Sequence, residues 1–346
     1  MANTIKQKRG TTDPGASDLV VGELAINTTD GGVFTKTDGG TVVEVGSGGG
    51  GGASAIDDLT DAVTYDGGLS IGLGTNALVN DDGTDNDNVA LGYNALNVIT
   101  SGSHNVAVGR GTGEDQTTGA RGTYIGRYAG AKITTGSDNT CLGNLAGQGL
   151  ITASYNVFVG GYAGRNVRNS SNVAIGYNAI SNHSYPTRCT AVGDTALVNG
   201  GTDNVAIGHQ SAGGGDNDAN RSTSIGKSSG YNNEGDDNVF VGYRAGNALT
   251  TGDDNVFVGS QAGEAITTGS NNIVIGYDTD ASSTTVSNEI TLGNASHTSL
   301  RIPGLQSGAS DGQVLTYDST NGNIALADAS GGLSRAQVTA VTLIFG

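Results

Sequence analysis

Asn172-Val-Ala-Ile-Gly-Tyr-Asn-Ala179 decides the fold, because the chain keeps rewriting it. Asn255-Val-Phe-Val-Gly-Ser-Gln-Ala-Gly263 is the same phrase with substitutions. The phrase closes on glycine at Gly72, Gly92, Gly109, Gly126, Gly143, Gly160, Gly176, Gly193, Gly208, Gly226, Gly242, Gly259, Gly276 and Gly293. Of the 13 intervals between these 14 glycines, eight are 17 residues and the rest lie between 15 and 20. A short fixed period marks a solenoid or an array, in which a single repeat cannot bury its apolar residues without a neighbour.

Within the phrase the pattern is that of one short β-strand. Ile, Val or Leu precedes the glycine in all 14 copies, and Val, Ile, Leu or Thr stands three before it. Positions two apart share a face of a strand. The slot between them is variable (Ala90, Tyr124, Cys141, Phe158, Ser224, Phe240) and is expected to face a second, less uniform environment. Asn opens the phrase in nine copies and suits strand entry as a turn residue; glycine suits strand exit. Ala recurs three residues after the glycine, as at Ala95 and Ala262, and an aliphatic residue seven after it, as at Ile99 and Leu249. Thr-Thr-Gly turns follow at Thr117, Thr134, Thr250 and Thr267. No helix of about 10 residues fits between two such turns. Coils stacked in parallel at about 4.8 Å would make a rod of roughly 65 Å.

The core of such a rod is thin. Aromatic residues are 5% of the chain, Trp is absent, and Gly supplies 60 of 346 residues, each at an entropic cost. Covering the second strand face by association would offset the deficit, so a homo-oligomer is expected, with a trimer as the simplest closed fibre.

The two phrases quoted first resemble the head repeats of trimeric autotransporter adhesins. They resemble still more the repeat tracts of bacteriophage tail fibres, where such phrases alternate with Thr-Thr-Gly turns. The resemblance covers about residues 67–293. It implies an all-β fold, a parallel β-roll or β-solenoid shaft in a homotrimeric fibre, with small β modules at the N- and C-terminal ends.

The flanks favour the phage fibre. Residues 1–46 carry Ile5-Lys-Gln-Lys-Arg-Gly10 and Asp18-Leu-Val-Val-Gly-Glu-Leu-Ala-Ile-Asn27, followed by the hairpin signals Asp30-Gly31 and Asp38-Gly39. This stretch resembles the N-terminal virion-attachment module of tail fibres. Residues 47–55 read as a Gly/Ser linker. Over 56–66, Ile56, Leu59 and Val63 form a short apolar helical stripe, expected to clamp the chains together. Residues 294–346 form the expected distal segment, where Ser299-Leu-Arg-Ile-Pro-Gly304 resembles the closing segment of fibre repeat tracts and Asp311-Gly-Gln-Val-Leu-Thr-Tyr-Asp318 another fibre module. No stretch reads as the self-cleaving chaperone domain of many fibres. Residues 1–10 lack the apolar core of a signal peptide, and 336–346 are too short for a barrel anchor, which sets the chain apart from the autotransporters.

Composition narrows the partners. A net charge of −17 argues against nucleic acid and anionic membrane, and no run of about 20 apolar residues could span a bilayer. Lys6, Lys8 and Arg9 are a basic cluster that either meets an acidic virion protein or is a solvated terminus. Two cysteines, Cys141 and Cys189, are too few for a disulfide framework and fall about three coils apart, so both should be free and packed. His104, His183, His209 and His297 sit in separate coils without ligand-like spacing. Aspartates cluster at Asp81-Asp82, Asp85, Asp87, Asp216, Asp218, Asp236-Asp237 and Asp253-Asp254. They fall just before the opening Asn, where turn chemistry outweighs calcium binding or carboxylate-pair catalysis. Gly48 to Gly52 lacks the Lys-Ser/Thr of a phosphate loop. No catalytic residue, metal ligand or cofactor is expected.

The expectation is therefore a non-enzymatic tail fibre of a virion, assembled in the host cytoplasm. It would trimerise with itself, dock on a tail or adaptor protein through residues 1–46, and meet a host-surface polysaccharide or protein. The alternatives are a head or tail decoration fibre, a bacterial trimeric adhesin and a polysaccharide depolymerase.

Overall fold

In the computed structural model the described residues are most of 7–44, then 62–64, 70–82, 86–182, 185–198, 200–214, 219–297, 313–318 and 323–328. All regular structure among them is β. An N-terminal sheet joins β1 (Gln7–Gly10), β2 (Leu24–Asn27), β3 (Val33–Lys36) and β4 (Val42–Glu44) in that order. Strands β1 and β2 are parallel, and β2–β3 and β3–β4 are the hairpins announced by the two Asp-Gly pairs. Next come β5 (Ala62–Thr64) and β6 (Ile71–Leu73). They are followed by β7 (Val89–Leu91), β8 (Val106–Val108), β9 (Thr123–Ile125), β10 (Thr140–Leu142), β11 (Val157–Val159) and β12 (Val173–Ile175). Then come β13 (Thr190–Val192), β14 (Val205–Ile207), β15 (Thr223–Ile225), β16 (Val239–Val241), β17 (Val256–Val258), β18 (Ile273–Ile275) and β19 (Ile290–Leu292). Strands β5 to β19 make one 15-stranded sheet in sequence order, antiparallel between β5 and β6 and parallel thereafter. A separate hairpin pairs β20 (Gln313–Asp318) with β21 (Asn323–Asp328).

The solenoid is held by more than its strands. Turn residues bond between coils as regularly as strand residues do: Tyr128 N donates to Arg110 O at 2.9 Å, and Gly130 N to Ala146 O at 2.9 Å. The ladder glycine makes this stacking possible. From Gly74 to Gly276 the column glycines have φ between 121° and 142°, a region closed to side chains. A Cβ on Gly160 would also stand 2.6 Å from the carbonyl oxygen of Gly176 in the next coil.

Two expectations change here. Gly72 is the middle residue of β6 and pairs with Ala90, whereas Gly74 stacks on Gly92. Replacing Gly72 by Gly74 in the column shortens its first interval from 20 to 18 residues. The expected helical clamp over 56–66 is also altered. Residues 62–64 are strand, with Val63 opposite Gly72, while Ile56 and Leu59 lie outside the described residues, as does the 47–55 linker.

The interior of the coil is the reverse of the expected one. The variable middle slot is the core: Ala90, Ala107, Tyr124, Cys141, Phe158, Ala174, Phe240, Phe257 and Val274 are all fully buried. The uniform aliphatic pair points outward. Ala or Ser three after the glycine and the aliphatic residue seven after it complete the core, as Ala146 and Leu150 do beside Cys141.

Filling follows a size rule within the chain. Where the slot holds a large residue, the position four after the ladder glycine is Gly: Gly130 beside Tyr124, Gly164 beside Phe158, Gly246 beside Phe240, Gly263 beside Phe257. In four coils whose slot is Ala or Gly, that position carries bulk: Leu78, Leu96, Ile180 and Leu197, all buried at positive φ between 48° and 54°. Beside Ala107 and Ala206 it is Gly113 and Ala212, and at Gly113 the side chains of Leu96 and Tyr124 from the flanking coils take the space. Left-handed geometry costs a branched residue about 1–2 kcal/mol, so the filled volume must be worth more than that. Around β15 the core turns polar. Ser222, Ser224, Ser229 and Asn233 are buried there, beside a space of about 10 Å³ with room for one water.

The phrase-opening asparagines are not turn residues. Asn88, Asn105, Asn139, Asn156, Asn172, Asn238, Asn255 and Asn272 are fully buried and bond up the stack. Asn156 N and Nδ2 donate to Asn139 Oδ1 at 3.1 and 3.0 Å, and the motif repeats from Asn255 to Asn238 and from Asn272 to Asn255. The left-handed turn belongs to the preceding residue, among them Asp87, His104, Arg121 and Asp138. Gly122 breaks the Asn column because a Cβ there would strike the Tyr124 hydroxyl. That hydroxyl and Gln116 Oε1 are buried side by side without a hydrogen bond, and burial pushes the phenol's pKa up.

Candidate functional site

Two outer features distinguish this rod from an inert solenoid. The first is the outward strand face. Positions one and three before the ladder glycines in β6 to β19 are aliphatic or Thr, and none carries charge. Ile125 is 42% exposed, Ile175 and Ile207 39% each, and Ile275 42%. A sheet with one face in the core normally turns polar residues outward. Here the outward face is a continuous aliphatic stripe along the whole stack. The adjoining position, one after the glycine, adds the exposed Tyr93, Tyr177, Tyr243 and Tyr277.

The second feature is the distribution of cations. Four arginines are spent on inter-coil carboxylates: Arg121 Nε to Asp138 at 2.6 Å, Arg188 Nε to Asp203 at 2.6 Å, Arg221 to both Asp236 and Asp237, and Arg244 to Glu264 at 2.6 Å. Their hydrogen bonds hold Asp138, Asp203 and Asp237 below the usual carboxylate range. Other cations rest on aromatic rings: Arg110 between Tyr93 and Tyr128, Arg127 over Tyr128, and Arg165 over Tyr162 at 5.2 Å.

The acidic clusters serve the stack. Asp81 accepts from Asn86 and Asn88, Asp82 from Asn86, and Asp236 from Asn220 N at 2.9 Å. Asp253 accepts from Asp236 N at 2.8 Å. No group of three metal-ligating side chains occurs among the described residues. Asp85, Asp216, Asp218 and His183 lie outside them. His104 and His209 each approach one aspartate, Asp87 and Asp194, at 3.5 Å, and the His297 ring accepts from Asn294 N. Among the described residues, His104, His209 and His297 are not brought together. Cys141 and Cys189 are free and buried, and burial raises the pKa of both thiols. No helix among the described residues is long and apolar enough to cross a membrane.

Sequence reasoning missed the stripe as a surface, although its uniformity was the signal. A slot packed inside a coil must match its neighbours in volume and so varies, whereas a face meeting one constant surface does not. Neither a family model, nor a curated protein, nor a solved structure matches the chain.

Proposed function

We propose that the chain is the fibre of a phage virion, assembled as a homotrimer in which the aliphatic stripes of three copies face one another along the fibre axis. The observation that carries this reading is the uncharged stripe running from β6 to β19. Full burial of a Val, Leu or Ile side chain is worth about 1.5–3 kcal/mol, and stripe isoleucines such as Ile175 and Ile275, 39% and 42% exposed, would gain the remaining part of that, up to about 1 kcal/mol each. A surface that matches it rung by rung needs the same coil period over the same length, and a second copy of the chain has that period. Closure about one axis favours three chains over an open ladder of them.

As a fibre it is non-enzymatic. Residues 1–46 dock on a tail or adaptor protein, the shaft projects, and the outer turns meet the host surface. The four-stranded N-terminal sheet is a compact unit consistent with docking. A decoration fibre on head or tail shares this architecture and differs only in its place on the virion. Gold labelling of the N-terminus on purified virions, viewed by electron microscopy, tests the reading. Label at the tail supports a tail fibre, label over the capsid supports decoration, and unlabelled virions contradict both.

A further inference from the structure

We propose that the groove lined by Lys132, Gln148, Arg165, Asn166, Arg168 and Asn182 binds an acidic saccharide through a carboxylate-bearing sugar unit. The groove spans four successive coils, β9 to β12, and encloses about 170 Å³. That is below the roughly 300 Å³ at which drug-sized pockets begin, and suits one ring of a longer polymer. Its residues lie five, six and eight after the ladder glycines, whereas the aliphatic stripe lies one and three before them. Covering the stripe with other copies therefore uses a different part of the coil.

Three observations converge on an anionic sugar. First, Arg165 and Arg168 are exposed and pair with no carboxylate among the described residues, in contrast to Arg121, Arg188, Arg221 and Arg244, and Lys132, also exposed, acts on Asp115 through its charge without forming an ion pair. They also lie in the basic part of an acidic rod. Residues 103–185 hold six Lys or Arg against three Asp or Glu, and 186–289 hold four against 13. With a Debye length of about 8 Å at physiological salt, acids several coils away are screened, so the local excess governs.

Second, the groove is an interruption in otherwise regular columns. Threonines eight after the glycine form a ladder, Thr100 to Thr117, Thr117 to Thr134, and Thr134 to Ile151 O. It stops at Ile151, and Arg168 takes the next rung. Beside it Gly149 leaves the floor bare; a Cβ there would lie 2.7 Å from Arg165 O and 2.9 Å from Asn166 Cα.

Third, the polar groups suit hydroxyls as well as charge. The side-chain amides of Gln148, Asn166 and Asn182 make no hydrogen bond to a described residue, which leaves donors and acceptors for sugar hydroxyls. Arg165, a fork suited to a carboxylate, lies over the Tyr162 ring, which meets Tyr177 edge-on at 5.6 Å. That stacking helps to fix the direction of the guanidinium.

The inference deepens the fibre reading by naming the class of surface polymer met, but it is tested on purified full-length protein alone. Calorimetric titration would use polygalacturonate, dextran as the neutral polymer, and inorganic phosphate as competitor. Arg165→Ser/Arg168→Ser is compared with Arg110→Ser/Lys227→Ser, which removes as much charge elsewhere on the shaft. The expected result is binding of polygalacturonate and not dextran, weakened at least about tenfold by the first double variant and unchanged by the second. Equal loss in both variants, equal binding of dextran, displacement by phosphate at matched charge, or no binding at all would overturn the groove. Native mass and melting temperature, recorded alongside, report whether the fibre still assembles. A failed groove in an intact trimer leaves the fibre reading standing, and a monomer that binds the polymer sinks the trimer alone.

Discussion

The inner and outer faces of one three-residue strand obey opposite rules. The inner column varies from Gly72 through Ala90, Tyr124 and Cys141 to Phe257; four after the ladder glycine stands Gly beside each buried ring and a Leu or Ile beside Gly72, Ala90, Ala174 and Ala191. The outer pair hardly varies. An interior of stacked coils is a set of local jigsaw solutions, since a large ring in one coil can fill space in the next. An outer face that holds one chemistry along its length meets a single repeated partner.

The largest effect should come from the column that serves both faces. Gly160→Ala places a Cβ against the Gly176 carbonyl at φ 128°. We expect a loss of at least about 4 kcal/mol, or failure to fold, read by thermal denaturation. A fall below about 1 kcal/mol would mean the coils can slide apart.

Next in size is the inner column itself. Phe158 is fully buried, and Phe158→Ala should cost about 3–5 kcal/mol. Adding Gly164→Leu copies the Ala–Leu pairing of the Ala90 coil, in which Leu96 accepts φ 49°. The double variant should recover at least about 1 kcal/mol over Phe158→Ala. If it is less stable than the single variant, the size rule is coincidence.

A subtler test of the interior is Tyr124→Phe. Its hydroxyl is buried without a partner, so removing it should leave the melting temperature unchanged or raise it. A clear fall would reveal a bond to Gln116.

The smallest effects belong to the exposed ion-pair rungs. Asp138, Asp203 and Asp237 have lowered pKa values in the folded chain, so what they contribute is present above the ordinary value of 3.8 and lost as pH falls through the lower folded values. Because these groups are exposed, Arg121→Ser should leave melting at pH 7 nearly unchanged and flatten its acid dependence only below that value. A large drop at neutral pH would contradict this.

Much of the shaft was legible in the sequence because it is periodic. Strand length, parallel stacking, the glycine column and the absence of a disulfide all follow from a phrase repeated at fixed spacing. What failed had physical causes. Both strand faces are apolar, so hydrophobicity could not say which one is inside; the matched bulk at Leu96 or Ile180 could have. Gly72 and Gly74 stand two apart around Leu73, and only the pairing with Ala90 and Gly92 separates slot from ladder. Asn suits turns as well as buried ladders, and only the stack shows Asn156 bonded to Asn139. Ile56, Leu59 and Val63 fit a helical stripe, but three apolar residues are weak evidence, and Val63 is in β5. Of the proposed groove, the cations were visible in the chain, but their convergence across four coils was not.

The central claim is that the aliphatic stripe is an interchain face, and native mass tests it most directly. By light scattering the intact protein should show three times its 34.4 kDa chain mass. Ile175→Lys/Ile207→Lys, which changes two outward residues and nothing in the core, should shift it toward the single chain with its β circular dichroism retained. A wild-type protein at 34.4 kDa across the working concentration range, with the stripe left in water, would contradict the account.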